Sequence, residues 1–350
     1  MSNLFFMLFL SAVLALYLYW GISRLSRERW QIFAAVPLRK TEGEQWDGLN
    51  LTWYGILTGN AYVAAVALLL FLMSAAGVPL AATALMAALM LLSCVPASRL
   101  VARVVEKKAH TFTVGGAVFV GVIIAPAVVW LVNLTLGEAL SCHISPAAAL
   151  AAFATAYALG EGLGRLACIS FGCCYGKPLA EASPRLRRLF AGRSFAFFGK
   201  TRKIAYAGNL EGERVIPVQA LTAILYSGVA LAATALFLHA SYALAFTLAL
   251  ATTQGWRVLS EMLRADYRGA GTFSAYQVMG LIALCYGMIV IFLAPAASAT
   301  IPDMAAGLAA LWHPAPLLFL QAVWLVIFLY TGRSTVTGST VSFHVHHDRI

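Results

Sequence analysis

The sequence predicts an all-α, polytopic membrane protein with about nine transmembrane helices. Of its 350 residues, 61% are hydrophobic and only 11% are charged, which is too little charge to cover the surface of a soluble protein. The apolar residues form runs of about 20, the length of helix that crosses a bilayer. These runs are continuous and do not alternate with polar residues, so the pattern argues against a transmembrane β-barrel.

Nine apolar runs qualify as spans. The first is predicted to remain as an anchor, because no basic segment precedes it and no A-x-A cleavage pattern follows it. The predicted spans are 4–21, 51–73, 78–97, 114–136, 146–172, 216–238, 241–260, 276–296 and 307–331.

The lysines and arginines, 24 in all, lie on one side of these spans. The loops after spans 2, 4, 6 and 8 contain none of them, whereas the other loops and the tail are basic. A missed span would mix the two sides, so this partition supports the count of nine. The positive-inside rule places the basic side in the cytoplasm.

Two polar stretches outside the spans each allow two interpretations. Residues 174–214 contain "SPRLRRLFAGRSFAFF", which alternates basic and bulky apolar residues. That pattern suits a segment lying on an anionic membrane surface, and a solvated loop fits equally well. The C-terminal "HVHHDRI" offers His344, His346 and His347 as metal ligands, but a frayed tail is the preferred interpretation and no metal is predicted.

Charged residues inside spans are costly in a bilayer and therefore indicate function. On span 5, Glu161 and Arg165 are four residues apart, so they share a helix face and can pair. The alternative is an ion pair with a structural role only. Glycines that allow close approach of a helix or a ligand surround the pair: Gly160, Gly162, Gly164, Gly172 and Gly176.

The end of span 7 carries a second charged group in "GWRVLSEMLRAD". Arg257 and Glu261 again have the spacing of an ion pair on one helix face, and Arg264 and Asp266 follow. Arg257 lies deepest in the span, which makes it the preferred candidate for a buried role. A snorkelling helix end with compensating charges is the alternative.

Two further segments place polar or small residues at the basic ends of spans. His110 approaches the membrane just before Gly115 and Gly116 at the start of span 4, and it is either catalytic or an interfacial polar residue. Tyr54 opens span 2 beside Trp53, and both residues also suit the aromatic belt of a membrane protein.

Three cysteines follow Arg165 closely, namely Cys168, Cys173 and Cys174. They suggest a thiol relay, a covalent acyl or glyceryl carrier, or a soft-metal site. A vicinal pair rarely forms a disulfide with itself, and free buried cysteine usually behaves as a small apolar residue. The thiol hypotheses and the interpretation of these cysteines as small apolar packing residues both stay open.

Two buried arginines at one end of the spans suit a lipid phosphodiester, because a guanidinium binds phosphate oxygens bidentately. Together with the segments around them, they resemble the prolipoprotein diacylglyceryl transferase family over residues 50–297. The matching residues, in the family's order, are Trp53-Tyr54-Gly55, Gly115-Gly116, Gly164-Arg165-Leu166 with Gly172 and Gly176, Pro217 and Gln219, and "WRVLSEMLRAD" with Gln277.

The resemblance implies a membrane enzyme of seven family-like spans, here with an extra N-terminal helix and one additional span. Such an enzyme takes the diacylglyceryl group (or a glycerophosphoryl group) of phosphatidylglycerol, or of another anionic phospholipid. It passes that group to a prolipoprotein cysteine thiol or another acceptor. It needs no cofactor and no nucleic acid. The predicted catalytic residues are Arg165, Arg257, Glu161, Glu261, Tyr54 and His110; the predicted substrate-binding residues are Gly115, Gly116, Gly172, Gly176, Gln219, Arg264 and Gln277.

The chain departs from the family pattern near the arginines. The family's His-Gly-Gly reads Val114-Gly115-Gly116, and its Gly-Arg-x-Gly-Asn reads Gly164-Arg165-Leu166-Ala167-Cys168. The Asn and Glu that follow are Phe171 and Cys173. The general base must then be Glu161, His110 or Glu261, unless the acceptor activates its own nucleophile.

The orientation also differs, because the family's matching motifs face the outside and the charge rule places these in the cytoplasm. We therefore expect a divergent relative in a bacterial plasma (inner) membrane, with the phospholipid donor retained and the acceptor changed. A non-enzymatic phospholipid-binding or translocating protein, or a thiol-dependent membrane protein, is the alternative. The expected organisation is an anchor helix with a basic loop (1–50), a transferase-like domain (51–297, including 174–214), and a last span with its tail (298–350).

Overall fold

The fold is helical and is described by a computed structural model for residues 3–28, 31–105, 107, 113–137, 139, 142–266, 273–295 and 300–350. The described helices are α1 Asn3–Arg24, α2 Trp53–Ala75, α3 Leu80–Val105, α4 Val114–Val132, α5 Pro146–Phe171, α6 Pro184–Phe190, α7 Lys203–Gly208, α8 Val218–Leu238, α9 Tyr242–Glu261, α10 Ala275–Leu293, α11 Met304–Leu311 and α12 Pro314–Thr331. The described strands are β1 Ile32–Lys40, β2 Gln45–Thr52 and β3 Arg333–Ser342.

The long helices confirm the prediction of an all-α polytopic membrane protein. Among the described residues, eight helices are long and apolar enough to cross a membrane: α1, α2, α3, α4 with its π-helical extension to Gly137, α5, α8, α10 and α12. Helix α9 matches the seventh predicted span and has 20 residues. It falls short of the other eight in hydropathy because its second half carries Gln254, Arg257 and Glu261.

The ninth predicted span, 307–331, is wrong as a single helix. The structure divides it into α11 and α12 at Trp312 and His313. Pro314 takes the first position of α12, where its missing N–H is harmless, but it could not continue α11. Gly307 lies against the backbone of Phe71 in α2, so α11 is packed on the bundle and α12 alone is long enough to span.

A three-stranded antiparallel sheet, in the order β1-β2-β3, occupies stretches that we expected to be a basic loop and part of a tail. Strands β1 and β2 form a hairpin between α1 and α2, and β3 follows α12 and pairs with β2 through Gln45 and Ser342 at one end. The sheet therefore gathers the basic ends of α1, α2 and α12 at the same end of the bundle.

Helix α5 lies at the centre of the bundle and packs against α2, α8 and α9. Within its most apolar stretch, 72% of the residues are buried, compared with 17% in α1 and α12. Its many alanines allow neighbouring helices to approach closely, and the Ser145 side chain caps its start by accepting from the N–H of Ala148. Charged side chains on α5 consequently face protein rather than lipid.

The segment 174–214 folds over the basic end of the bundle. Phe195, Phe197 and Ile204 are buried, so some of its bulky apolar residues belong to the core. Arg185 and Arg188, by contrast, are exposed. Its contact with an anionic membrane surface stays a prediction for that exposed side.

Arg202 ties this segment to the bundle. It is 1% exposed, and its guanidinium donates to the carbonyl oxygens of Ile169 and Leu25, each at 3.1 Å, and to that of Glu28. Burial lowers the pKa of Arg202 to about 10, so the side chain stays charged at neutral pH. One guanidinium thus joins the end of α5 to the turn after α1.

Replacing Arg202 by Met should destabilise the protein by about 3 kcal/mol, because each buried carbonyl left without its donor costs about 1–3 kcal/mol. The measurement is thermal unfolding of the purified protein in detergent, with the exposed Arg188→Met as the matched control. Equal unfolding temperatures for the two variants would contradict a stabilising role for the hydrogen bonds of Arg202.

Candidate active site

A cleft at the basic end of the bundle opens between α5, α8 and α9. It is narrow, with about 10 Å³ of free space, which is room for about one water molecule. Seven of the predicted site residues line it together with four others. The lining residues are Glu161, Arg165, Cys174, Val218, Gln219, Thr222, Tyr226, Arg257, Ser260, Glu261 and Arg264.

The carboxylate of Glu161 forms the centre of the cleft. One of its oxygens accepts from Arg165, and the other accepts from Nη2 of Arg257 at 2.7 Å and from the Tyr157 hydroxyl. Nη2 of Arg257 also donates to the Tyr157 oxygen at 2.7 Å. Two guanidinium groups, from α5 and α9, therefore meet on a single carboxylate whose side chain is 3% exposed.

The ion pair suggested by the spacing of Arg257 and Glu261 does not form. Arg257 turns to Glu161 on the neighbouring helix, whereas Glu261 lies 3.8 Å from Arg264. A carboxylate buried between two cations satisfies both arginines better than separate pairs on each helix, because a buried unpaired charge is very unfavourable. Glu161 thus holds both arginines, and its part as a general base stays a prediction.

Three buried polar atoms around this centre have no hydrogen-bond partner in the described part of the chain: Nε of Arg165, Nε of Arg257 and Oε1 of Gln219. Buried polar groups in proteins are almost always hydrogen-bonded. Both guanidinium groups therefore have donor capacity left for water or a ligand.

Arg264 is held at the mouth of the cleft by a bidentate pair with Asp266, at 2.8 and 2.7 Å. Its backbone forms a bridge with Gly176 in the loop after α5. A Cβ at Gly176 would collide with the carbonyl oxygen of Ile216, so glycine is needed for the close approach of this loop to the start of α8. The loops after α5 and α9 are thereby fastened together beside the arginines.

The glycine pair at the start of α4 packs close to the arginines. A Cβ at Gly115 would lie 2.7 Å from the Tyr276 ring and 3.2 Å from Nη1 of Arg257, and one at Gly116 would lie 2.5 Å from Val101. The start of α4 therefore touches Arg257. The positive end of a helix dipole adds to the cationic character of the site.

Other predicted site residues take supporting positions. Gln219 donates from Nε2 to the carbonyl of Cys173 at 2.9 Å. Gln277 completes a capping box with Ser274 and donates to the carbonyl of Val258 at 3.0 Å, which joins α10 to α9. These glutamines position the backbone around the cleft, and their part in substrate binding stays a prediction.

One predicted catalytic residue of the described part of the chain, Tyr54, is not brought to the cleft. Tyr54 packs edge-on against Phe171, with ring centroids 5.6 Å apart, and it is absent from the residues that line the cleft. His110 lies outside the described residues. Within the described residues, no contact with the arginines supports a catalytic part for Tyr54, and the catalytic prediction for His110 stays a prediction.

The three predicted thiols lie together at the end of α5. The sulfur atoms of Cys168, Cys173 and Cys174 are all within 4.8 Å of one another, and Cys174 is also a wall residue of the cleft.

Sequence reasoning missed Tyr157, which contacts both Glu161 and Arg257. Its signal was present, because Tyr157, Glu161 and Arg165 are spaced by four residues and so line one face of α5. Thr222 and Tyr226 on α8 carried no comparable signal.

The sequence profile of the prolipoprotein diacylglyceryl transferase family matches residues 45–293. The chain belongs to this family. No individual curated protein matches it. The matched stretch begins at β2 and ends with α10, so it contains every helix that forms the cleft, while α1, α11, α12 and β3 lie outside it.

Family membership confirms the resemblance on which the sequence analysis relied. Prolipoprotein diacylglyceryl transferases are membrane enzymes of lipoprotein biosynthesis, and the many apolar helices make this chain a multi-pass membrane protein of the same kind. Membership supports a diacylglyceryl-transferase-like function in general terms.

Replacing Glu161 by Gln should destabilise this family member by about 3 kcal/mol or more, because two buried guanidinium groups lose their shared counterion. The measurement is the thermal unfolding temperature in detergent, with the exposed Glu213→Gln as the control. Added inorganic phosphate should recover part of the loss by binding the freed arginines. An unfolding temperature equal to that of the control would contradict the central place of Glu161.

Proposed function

We propose that the protein takes the diacylglyceryl group of phosphatidylglycerol, or of a closely related anionic phospholipid, and transfers it to an acceptor with release of glycerol phosphate. The observation that carries the proposal is the meeting of Arg165 and Arg257 on one carboxylate inside a cleft at the end of the spans. Family membership supports the same reaction class.

The arginines are arranged for an oxyanion with two accessible oxygens. Glu161 presents such a pair of oxygens, and a phosphodiester presents the same pattern to a guanidinium. The cleft's three arginines face three carboxylates, those of Glu161, Glu261 and Asp266. An incoming phosphate therefore takes guanidinium N–H groups over from Glu161, and the unpartnered Nε atoms supply further donors.

The chemistry explains why two cations are needed. The acceptor's nucleophilic atom attacks the glycerol carbon of the diacylglyceryl group, and the bond from that carbon to the phosphate oxygen breaks. The phosphodiester carries one negative charge, and the released phosphate monoester carries two. Guanidinium groups placed where that charge develops stabilise the transition state, and such electrostatic stabilisation is usually the largest single contribution to catalysis.

The distribution of lysine and arginine supports an orientation of the protein in the membrane. We place the protein in a bacterial plasma membrane, with its basic end and the cleft in the cytoplasm. The acceptor is then reached from the cytoplasmic side and is not an exported prolipoprotein, so the donor of the family is kept and the acceptor differs.

Arg165→Lys and Arg257→Lys should each lower turnover by about 100-fold, because lysine keeps the charge but loses the forked geometry. The assay follows release of labelled glycerol phosphate from phosphatidylglycerol in proteoliposomes, with the exposed Arg188→Lys as the control. Wild-type turnover in both cleft variants would contradict bidentate binding of the phosphate by these arginines. Binding of phosphatidylglycerol without any released glycerol phosphate would favour a lipid-binding protein that is not an enzyme.

A fluorescent protein fused after Ile350 should fluoresce, because such reporters fold in the cytoplasm. Alkaline phosphatase fused at the same position should be inactive. Strand β3 pairs with the hairpin at the basic end, so the C-terminus reports the side of the cleft. A matched fusion inserted at Ala240, in the turn between α8 and α9 at the opposite end, should give phosphatase activity. Phosphatase activity at Ile350 would place the cleft outside and restore an exported acceptor.

A further inference from the structure

The thiols of Cys168, Cys173 and Cys174 have the spacing of ligands to one metal ion. Their sulfur atoms lie within 4.8 Å of one another. With Zn–S bonds of about 2.3 Å and tetrahedral geometry, two sulfurs on one ion lie about 3.8 Å apart. Small rotations of the side chains would close the cluster around an ion.

The end of α5 explains why the thiols meet. The N–H of Cys173 donates to the carbonyl of Cys168 at 3.1 Å, and that of Gly172 donates to Ile169 at 3.3 Å. This is a Schellman motif, in which the second residue past the helix folds back onto the last turn. The motif needs the left-handed backbone that Gly172 adopts at φ +68°, and it places Cys173 over Cys168.

Cys174 joins the cluster through an uncommon backbone conformation. Its φ is +58°, which a residue with a Cβ adopts only at a cost and mostly where the surrounding structure imposes it. Gln219 holds the carbonyl of Cys173 at 2.9 Å, and Tyr175 accepts from the N–H of Ala265 at 3.2 Å. The loop is thus fixed on both sides of Cys174.

The charges beside the cluster suit a metal–thiolate group. Three thiolates and a divalent cation carry one net negative charge. Arg165 interacts electrostatically with Cys168 and Cys174, and Arg264 interacts with Cys174. Cations on this side of the cluster would balance that negative charge.

We infer that Cys168, Cys173 and Cys174 form a three-thiolate site for a soft d¹⁰ metal ion, with Zn²⁺ as the expected occupant. Thiolate ligands select such ions over harder cations. Within the described residues, the cluster contains three ligands and no fourth histidine, cysteine or carboxylate. Three protein ligands with one open position are typical of catalytic rather than structural zinc sites.

The open position gives the site a part in the reaction, and this step rests on the proposed function. Cys174 is a wall of the cleft, so the ion lies at its edge beside Arg165. A thiol that binds zinc loses its proton, so a bound ion would supply the acceptor as a thiolate and release the proton to solvent. The thiolate sulfur would form the carbon–sulfur bond while the carbon–oxygen bond breaks, and Arg165 and Arg257 would hold the phosphate that leaves. The ion would thus activate a thiol, which is the acceptor class already expected from the resemblance to the family.

The test is a Co²⁺ titration of the reduced, full-length protein in detergent. Wild type should bind one equivalent with a strong sulfur-to-cobalt absorption band, which Zn²⁺ displaces. Cys174→Ser should weaken binding by at least about 10-fold, whereas Cys285→Ser, at an exposed position, should bind as wild type does. A Cys174→Ser spectrum and affinity equal to wild type overturns the site.

A second measurement uses the wild-type chain alone, so it does not depend on the folding of a variant. Zn²⁺ should protect the three clustered thiols from alkylation and leave Cys285 reactive, as read by mass spectrometry of peptides. Equal alkylation with and without Zn²⁺, or a disulfide between two of the three cysteines under reducing conditions, overturns the site.

A short thiol-containing peptide added to the cobalt form tests the open position. It should shift the visible bands of bound Co²⁺, and the matching serine peptide should not. An unchanged spectrum overturns the acceptor role. These spectra require neither lipid nor turnover, so they test the metal site independently of the reaction. If cobalt binds but no glycerol phosphate is released, the transferase proposal fails and the metal site stands.

Discussion

The buried triad of Glu161, Arg165 and Arg257 is the constraint on which the rest of the structure depends. Two cations and one anion lie almost without solvent at the end of the spans, where an unpaired charge would be very unfavourable. They are tolerated because α5 is enclosed by α2, α8 and α9, so the charges face protein. The glycines and alanines around them allow that close packing. In the proposed reaction, the same enclosure brings two guanidinium groups to one phosphate.

The sequence predicted the helices well because long apolar runs need no distant partner to be recognised. It could not predict the partner of Arg257, which lies 96 positions away on another helix, since spacing along one helix favours Glu261. The sheet was missed for the same reason: β3 pairs with residues almost 300 positions earlier. Tyr157, by contrast, was readable from its spacing to Glu161.

The cleft and the thiol cluster form one continuous chemical environment at the end of α5. Two replacements that separate this chain from its family's pattern lie in the thiol cluster: Cys168, in the last turn of α5, and Cys173, just after the helix, stand at positions of polar residues in that pattern. A third, Val114, lies at the start of α4. The loop that carries Cys173 is fastened to α8 through Gln219 and to the loop after α9 through Ala265. The loop with the thiols therefore forms part of the wall of the cleft beside the arginines.

The order of the sheet has a consequence for how the chain is made. Strand β2 lies between β1 and β3, and β3 is the last strand to leave the ribosome. Until it arrives, the hairpin presents a row of unsatisfied backbone groups, which is a site for wrong pairing. The sheet is therefore complete only after Arg333–Ser342 pairs with β2, and a nascent chain stalled before Arg333 leaves this edge of the hairpin open.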